Sequence, residues 1–134
     1  MSEILVYVTA SDGSRQPCRL DYIAKGQEVA LAASLPFAGE QQFIGQNLFD
    51  ALNKLRLRLE EAGYLLLCNA ARRDTYPSRA VRQMGGGFKV YVLHAGQQAK
   101  LSDLVDALAP AEAGDVVSVA EQRAAYEQWL RSLG

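Results

Sequence analysis

Five cations fall between Arg72 and Lys89: Arg72, Arg73, Arg79, Arg82 and Lys89 face Asp74 alone, a local balance of +4. A guanidinium presents a planar fork of donors that fits carboxylate or phosphate oxygens two at a time, so such a cluster points to recognition of an anion. The spacing gives the cluster a shape. Tyr76-Pro77 forces an extended step, and Ser78 caps a short helix over 79–84 on which Arg79 and Arg82, at i and i+3, share a side. Arg72 or Arg73 reaches the same place from before the turn, which Asp74 starts by bonding its own backbone. The candidate binding residues are therefore Arg72, Arg73, Tyr76, Arg79, Arg82 and Lys89.

Sharper chemistries find less support. The run "GGGFK" at 85–89 suggests a phosphate loop, but that motif needs G-x-x-x-x-G-K-[ST] between a strand and a helix. Here the glycines precede a strand-like run, and Lys89 is followed by Val90. They read as a tight turn or a flexible lip. His94 is the one histidine in the sequence, so no His-rich ligand set exists and no metal or cofactor is expected. Cys68 and His94 with Asn69 form a conceivable nucleophile pair, yet Cys68 continues the apolar run Leu65–Leu67 and reads as packing. Asp103/Asp106 and Glu60/Glu61 read as solvated faces. The residues favour binding over catalysis.

The net charge of −1 demands neither nucleic acid nor an anionic membrane. The charge is segregated, however. Between 101 and 121 lie Asp103, Asp106, Glu112, Asp115 and Glu121 with no Lys or Arg, a local −5. Either the two segments pair within the fold, or the basic one faces a partner. The basic segment has no recognition-helix signature, and Tyr76 stands without interleaved aromatics, so nucleic acid is not indicated as partner.

These residues need a scaffold. A chain of 134 residues, 49% apolar and 22% charged, reads as one globular domain, 1–134, with a single core. Residues 3–10 alternate as a strand, Asp12-Gly13 makes a tight turn, and strands follow near 18–23 and 28–35 as an antiparallel meander. The stretch 36–46, with Pro36, Gly39 and Gly45, reads as a connecting loop. Asn47 caps a helix over 48–62, whose stripe is Leu48, Leu52, Leu55, Leu59 and Ala62; Gly63 stops it, and Leu57 points nearly opposite. The run 64–70 is apolar on both alternations and suits a central strand buried on both faces, or a strand under a helix. Another strand spans 88–94. Residues 101–108 fit a helical turn or two, or a strand, and the helical option is favoured. Ser118 and Glu121 form a capping box for a helix over 119–133 that docks by Val119, Tyr126, Trp129, Leu130 and Leu133. The expected class is α+β: a single mixed or mainly antiparallel sheet of about five strands, packed by a central and a C-terminal helix.

No stretch approaches 18 apolar residues, so no membrane span is expected. "MSEILVYVTASDGSR" lacks a basic leader region, and Cys18 and Cys68 are isolated, so a cytoplasmic protein with reduced thiols is expected. "GYLLLCNAARRDTYPSRAVRQMGGGFKVYVL" (63–93), with "SVAEQRAAYEQWL" (118–130), resembles a group of small uncharacterised bacterial proteins. In size and makeup the chain is also similar to the immunity proteins of polymorphic-toxin systems, which block a cognate toxin by binding it. That resemblance implies a non-enzymatic binding protein whose partner is a protein, a toxin in that case, and it carries no functional residues across. The residues themselves leave an alternative: a small-molecule or nucleotide-binding protein, or an enzyme, holding an anionic group with the 72–82 arginines and Gly85–Gly87. A deep pocket under the 70–88 loop, with two or more arginines converging, favours the alternative; a flat or convex basic surface with no pocket favours a protein partner.

Overall fold

The computed structural model describes residues 2–134, apart from the side chains of Ser2, Gln83 and Met84. Strands β1 (Ser2–Ala10), β2 (Arg15–Lys25), β3 (Glu28–Leu35) and β4 (Gly39–Gly45) run up and down as an antiparallel meander. Alternation decides which side is core. Val6, Val8, Cys18, Leu20, Leu31 and Ala33 face inward and are buried, and the register Val6↔Cys18, Leu20↔Ala33 and Leu31↔Phe43 carries that face across the sheet. The segment 36–46, expected as a loop, contains β4. Its inward set is Gln41, Phe43 and Gly45, and polar residues mask the alternation because β4 is an edge strand.

Helix α1 (Leu48–Glu61) covers the inner face with Leu48, Leu52, Leu55 and Leu59, all fully buried. The Asn47 side chain accepts from the Asp50 amide at 2.8 Å, and Gly63, at φ 88, ends the helix as the sequence predicts. Leu57 lies on the solvent side. The apolar run after it does not become a central strand. Strand β5 (Tyr64–Leu66) is three residues at the sheet edge, in the order β4-β3-β2-β1-β5. Leu67–Ala71 then pass beneath the second half of the chain, which is why the run is apolar on both alternations.

That second half comprises β6 (Thr75–Tyr76), α2 (Arg79–Met84), β7 (Lys89–Val92), β8 (Leu104–Asp106) and α3 (Val119–Ser132). The strand expected at 88–94 forms, but in a separate three-stranded antiparallel sheet, β6-β7-β8. At 101–108 a single 3-10 turn, Leu101–Asp103, leads into β8, so the favoured helical reading holds for that turn alone. The α+β class stands: a five-stranded antiparallel sheet with a central and a C-terminal helix.

Helix α3 begins with the expected reciprocal cap, Glu121 N donating to Ser118 Oγ at 3.1 Å and Ser118 N to Glu121 Oε1 at 3.2 Å. Its docking face differs from expectation. Leu130 and Leu133 are exposed, whereas Gln122 is 1% exposed. Gln122 meets Arg56, which is itself 2% exposed: Arg56 Nη1 donates to Gln122 Oε1 at 2.6 Å, and Nη2 to the Val117 carbonyl at 2.9 Å. The Gln122 amide donates in turn to the carbonyls of Ala70, Arg72 and Thr75 at 2.8–2.9 Å. Glu60, one turn along α1 from Arg56, accepts the first amide of α3, Val119 N, at 2.9 Å. This polar joint fixes α3, and the segment before β6, to α1.

Candidate functional site

Ser78 Oγ accepts from Val81 N at 3.1 Å and starts α2, so Arg79 and Arg82 project from one face of it as their spacing predicts. Both line a cleft of about 880 Å³. Arg123 of α3 and Lys54 of α1 complete its cationic lining, while Glu28 and Asp50 supply two carboxylates, for a balance of +2. Asp50 is already engaged, accepting from Gln46 N at 3.0 Å and lying 4.0 Å from Lys54 Nζ.

Phe49 and Tyr76 give the cleft an aromatic floor. Tyr76 is a buried residue in a ladder of rings. Phe49 meets it edge-on at 5.1 Å, Tyr126 stacks on it at 4.1 Å, and Trp129 follows Tyr126 at 6.0 Å. One guanidinium leans on this ring. Arg82 Cζ lies 5.9 Å from its centroid. Arg123, whose pKa is raised mainly by charge interaction with the Tyr76 phenol, lines the same cleft. The ladder thus sets Arg82 against one rigid ring.

The other sequence candidates lie elsewhere. Arg72 does not join the cleft; it pairs in two-pronged fashion with Asp74, Nε to Oδ1 at 2.9 Å and Nη2 to Oδ2 at 2.8 Å. Asp74 therefore serves a neighbouring side chain and not the turn's backbone. Arg73 reaches Glu121 at 3.7 Å, and Lys89 pairs with Asp106 at 2.7 Å across β7–β8. The acidic 101–121 segment is thus partly neutralised from within the fold. Arg123 and Lys54 were missed because they belong to other helices and reach the cleft only through docking.

Gly85–Gly87 were expected as a tight turn or a flexible lip, and on the alternative reading as a hold for the anion; the turn forms. They close α2 and pack on the start of α1. Gly85 N donates back to the Val81 carbonyl at 2.9 Å, and Leu48 N donates to the Gly86 carbonyl at 2.8 Å. A Cβ on Gly87, at φ 73, would fall 2.8 Å from both Asn47 Oδ1 and Phe49 N. The first amides of α1 are therefore covered by protein. The Cys68–His94 pair does not form. Cys68 is fully buried with its thiol pushed up to about 11 by burial, and His94 lies at the surface 3.6 Å from Asp103.

Fold and site together define an α+β protein with an arginine-lined cleft over an aromatic floor. No family model matches the chain, and no curated protein matches its sequence.

Proposed function

We propose that this chain is a binding protein that captures an anionic group in the cleft lined by the start of α1, by α2 and by Arg123 of α3. One contrast carries the reading. Arg72, Arg73 and Lys89 are each matched by a carboxylate, whereas Arg79 and Arg82 have no ion-pair partner among the described residues. They share their cleft with Arg123, itself paired with Glu127 at 3.4 Å, and with Lys54. Unmatched guanidiniums beside a ring, in a concave site, suit a phosphate or a cluster of carboxylates that accepts several charge-assisted hydrogen bonds.

The test is a thermal-shift series with inorganic pyrophosphate, citrate and phosphorylated metabolites against the wild-type chain and the Arg79→Glu/Arg82→Glu variant. Oligoanions at millimolar concentration raise the wild-type midpoint and leave the variant's unchanged. A wild-type midpoint that no anion moves overturns the reading.

A second reading, an inhibitor of a partner protein in the manner of the immunity proteins, has its own support. Ile44, half-exposed, lines the same cleft and continues in register through Ala30 to the exposed Ile23, an apolar strip beside a cationic hollow. On this reading the arginines hold an acidic side chain of a cytoplasmic partner, such as a toxin, and Ile44→Glu abolishes capture of that partner while anion-induced shifts persist.

A further inference from the structure

A second cavity, of about 710 Å³, adjoins the cationic cleft and shares Glu28, Gln46, Asn47 and Arg82 with it. Its other walls differ in chemistry. Phe88, Val29 and Ala24 are apolar, Gln27 adds a carboxamide, and Gly86 contributes backbone. Phe88 is braced from behind by Tyr22, ring to ring at 5.2 Å. A Cβ at Gly86 would press on the Phe88 ring at 2.9 Å, so the glycine leaves that ring its place in the wall.

We propose that the ligand of this two-chambered trough is a nucleoside phosphate, its phosphates against Arg79, Arg82 and Arg123 and its base in the Phe88 chamber. The proposal rests on the anion-binding reading above and adds the class of molecule. Three observations carry it. The cations are confined to one chamber, with Arg82 alone reaching the other, so the ligand is charged at one end and neutral at the other. The neutral chamber joins a braced aromatic ring to the carboxamides of Gln27 and Gln46; rings stack on bases, and each carboxamide offers both the donor and the acceptor that a base edge needs. Glu28 stands where the chambers meet, and a carboxylate there repels a phosphate but accepts hydrogen bonds from sugar hydroxyls. An inorganic anion leaves the second chamber empty.

Isothermal titration of the full chain with inorganic pyrophosphate, unphosphorylated nucleosides and the diphosphates of adenosine, guanosine, cytidine and uridine tests this. At least one nucleoside diphosphate binds about tenfold or more tighter than pyrophosphate, corresponding to roughly 1.4 kcal/mol. Ala24→Tyr, from an exposed position at the end of β2, fills the second chamber and brings nucleotide affinity down to the pyrophosphate level without changing pyrophosphate binding. Pyrophosphate that binds as tightly as every nucleotide, or a nucleotide preference that survives Ala24→Tyr, overturns the nucleoside assignment and leaves anion binding standing. If neither pyrophosphate nor any nucleotide binds, the nucleoside assignment falls, and the anion reading falls with it when citrate also leaves the wild-type midpoint unmoved.

Discussion

Arg56 carries a cation into the interior with no carboxylate at ion-pair distance among the described residues; backbone carbonyls, Asn53 and Gln122 take its hydrogen bonds. Burial lowers the pKa of this guanidinium, and its hydrogen bonds offset that cost. Removing Gln122 takes one acceptor from the buried cation and one shared donor from the carbonyls of Ala70, Arg72 and Thr75. Gln122→Ala therefore destabilises the chain by about 2 kcal/mol, the cost of buried polar groups left short of partners, as read from the urea midpoint. Little of this joint shows in the sequence. Arg56 and Arg58 look alike in a helix that also carries Asp50, Lys54 and Glu60, and only the docking of α3 makes one of them interior. Arg79 and Arg82 are the opposite case. Their i, i+3 spacing behind a Ser cap is local, so it can be read directly, whereas Arg72 looks available until its bond to a residue two positions away is seen.

At the level of elements, the short helix α2 matters most because its closing glycines touch α1. Gly87 adopts φ 73 in contact with the cap residue Asn47 and the amide of Phe49. Gly87→Ala adds a left-handed strain of about 1 kcal/mol to a clash with backbone that cannot move freely. The expected outcome is a loss of about 2–3 kcal/mol in chemical denaturation, together with weakened anion binding, since α2 carries Arg79 and Arg82. The sequence marks three glycines as special but cannot show what they approach. The elements themselves divide along the same line. Helices with side-chain caps, at Asn47, Ser78 and Ser118, announce their own starts, and all three begin where the caps predict. Strands depend on neighbours. β4 was hidden by polar residues at an edge, and β5, expected as a central strand over 64–70, is three residues at the other edge because the run's burial comes from a second layer.

Across the whole molecule, side chains from both sheets, from Val8 and Leu31 to Val90, and Val116 beyond them, form one apolar cluster. Cys18 and Cys68 lie in it, each with its thiol pushed up to about 11, mainly by burial. The native state thus holds these protons more tightly than the unfolded chain, whose thiols titrate near the ordinary value of 9.0. Their contribution to stability is complete below that value and falls as pH rises from about 9 toward 11. Each thiol is expected to cost about 1 kcal/mol between pH 7 and pH 10, measured as the difference in urea unfolding from a Cys18→Ala/Cys68→Ala variant, which lacks this component.

The hydrogen bond from Leu48 N to the Gly86 carbonyl also orders events in time. Helix α1 has its own cap and its own leucine stripe, so it can form as soon as the meander offers a surface. Its first turn, however, is completed by a residue that follows it in the chain by the whole of β5, β6 and α2. Closing that long loop costs entropy before any contact repays it. The cleft shares its walls with this closure, so it is among the last features to exist as the chain folds. A chain emerging from synthesis exposes no binding surface until its scaffold is in place.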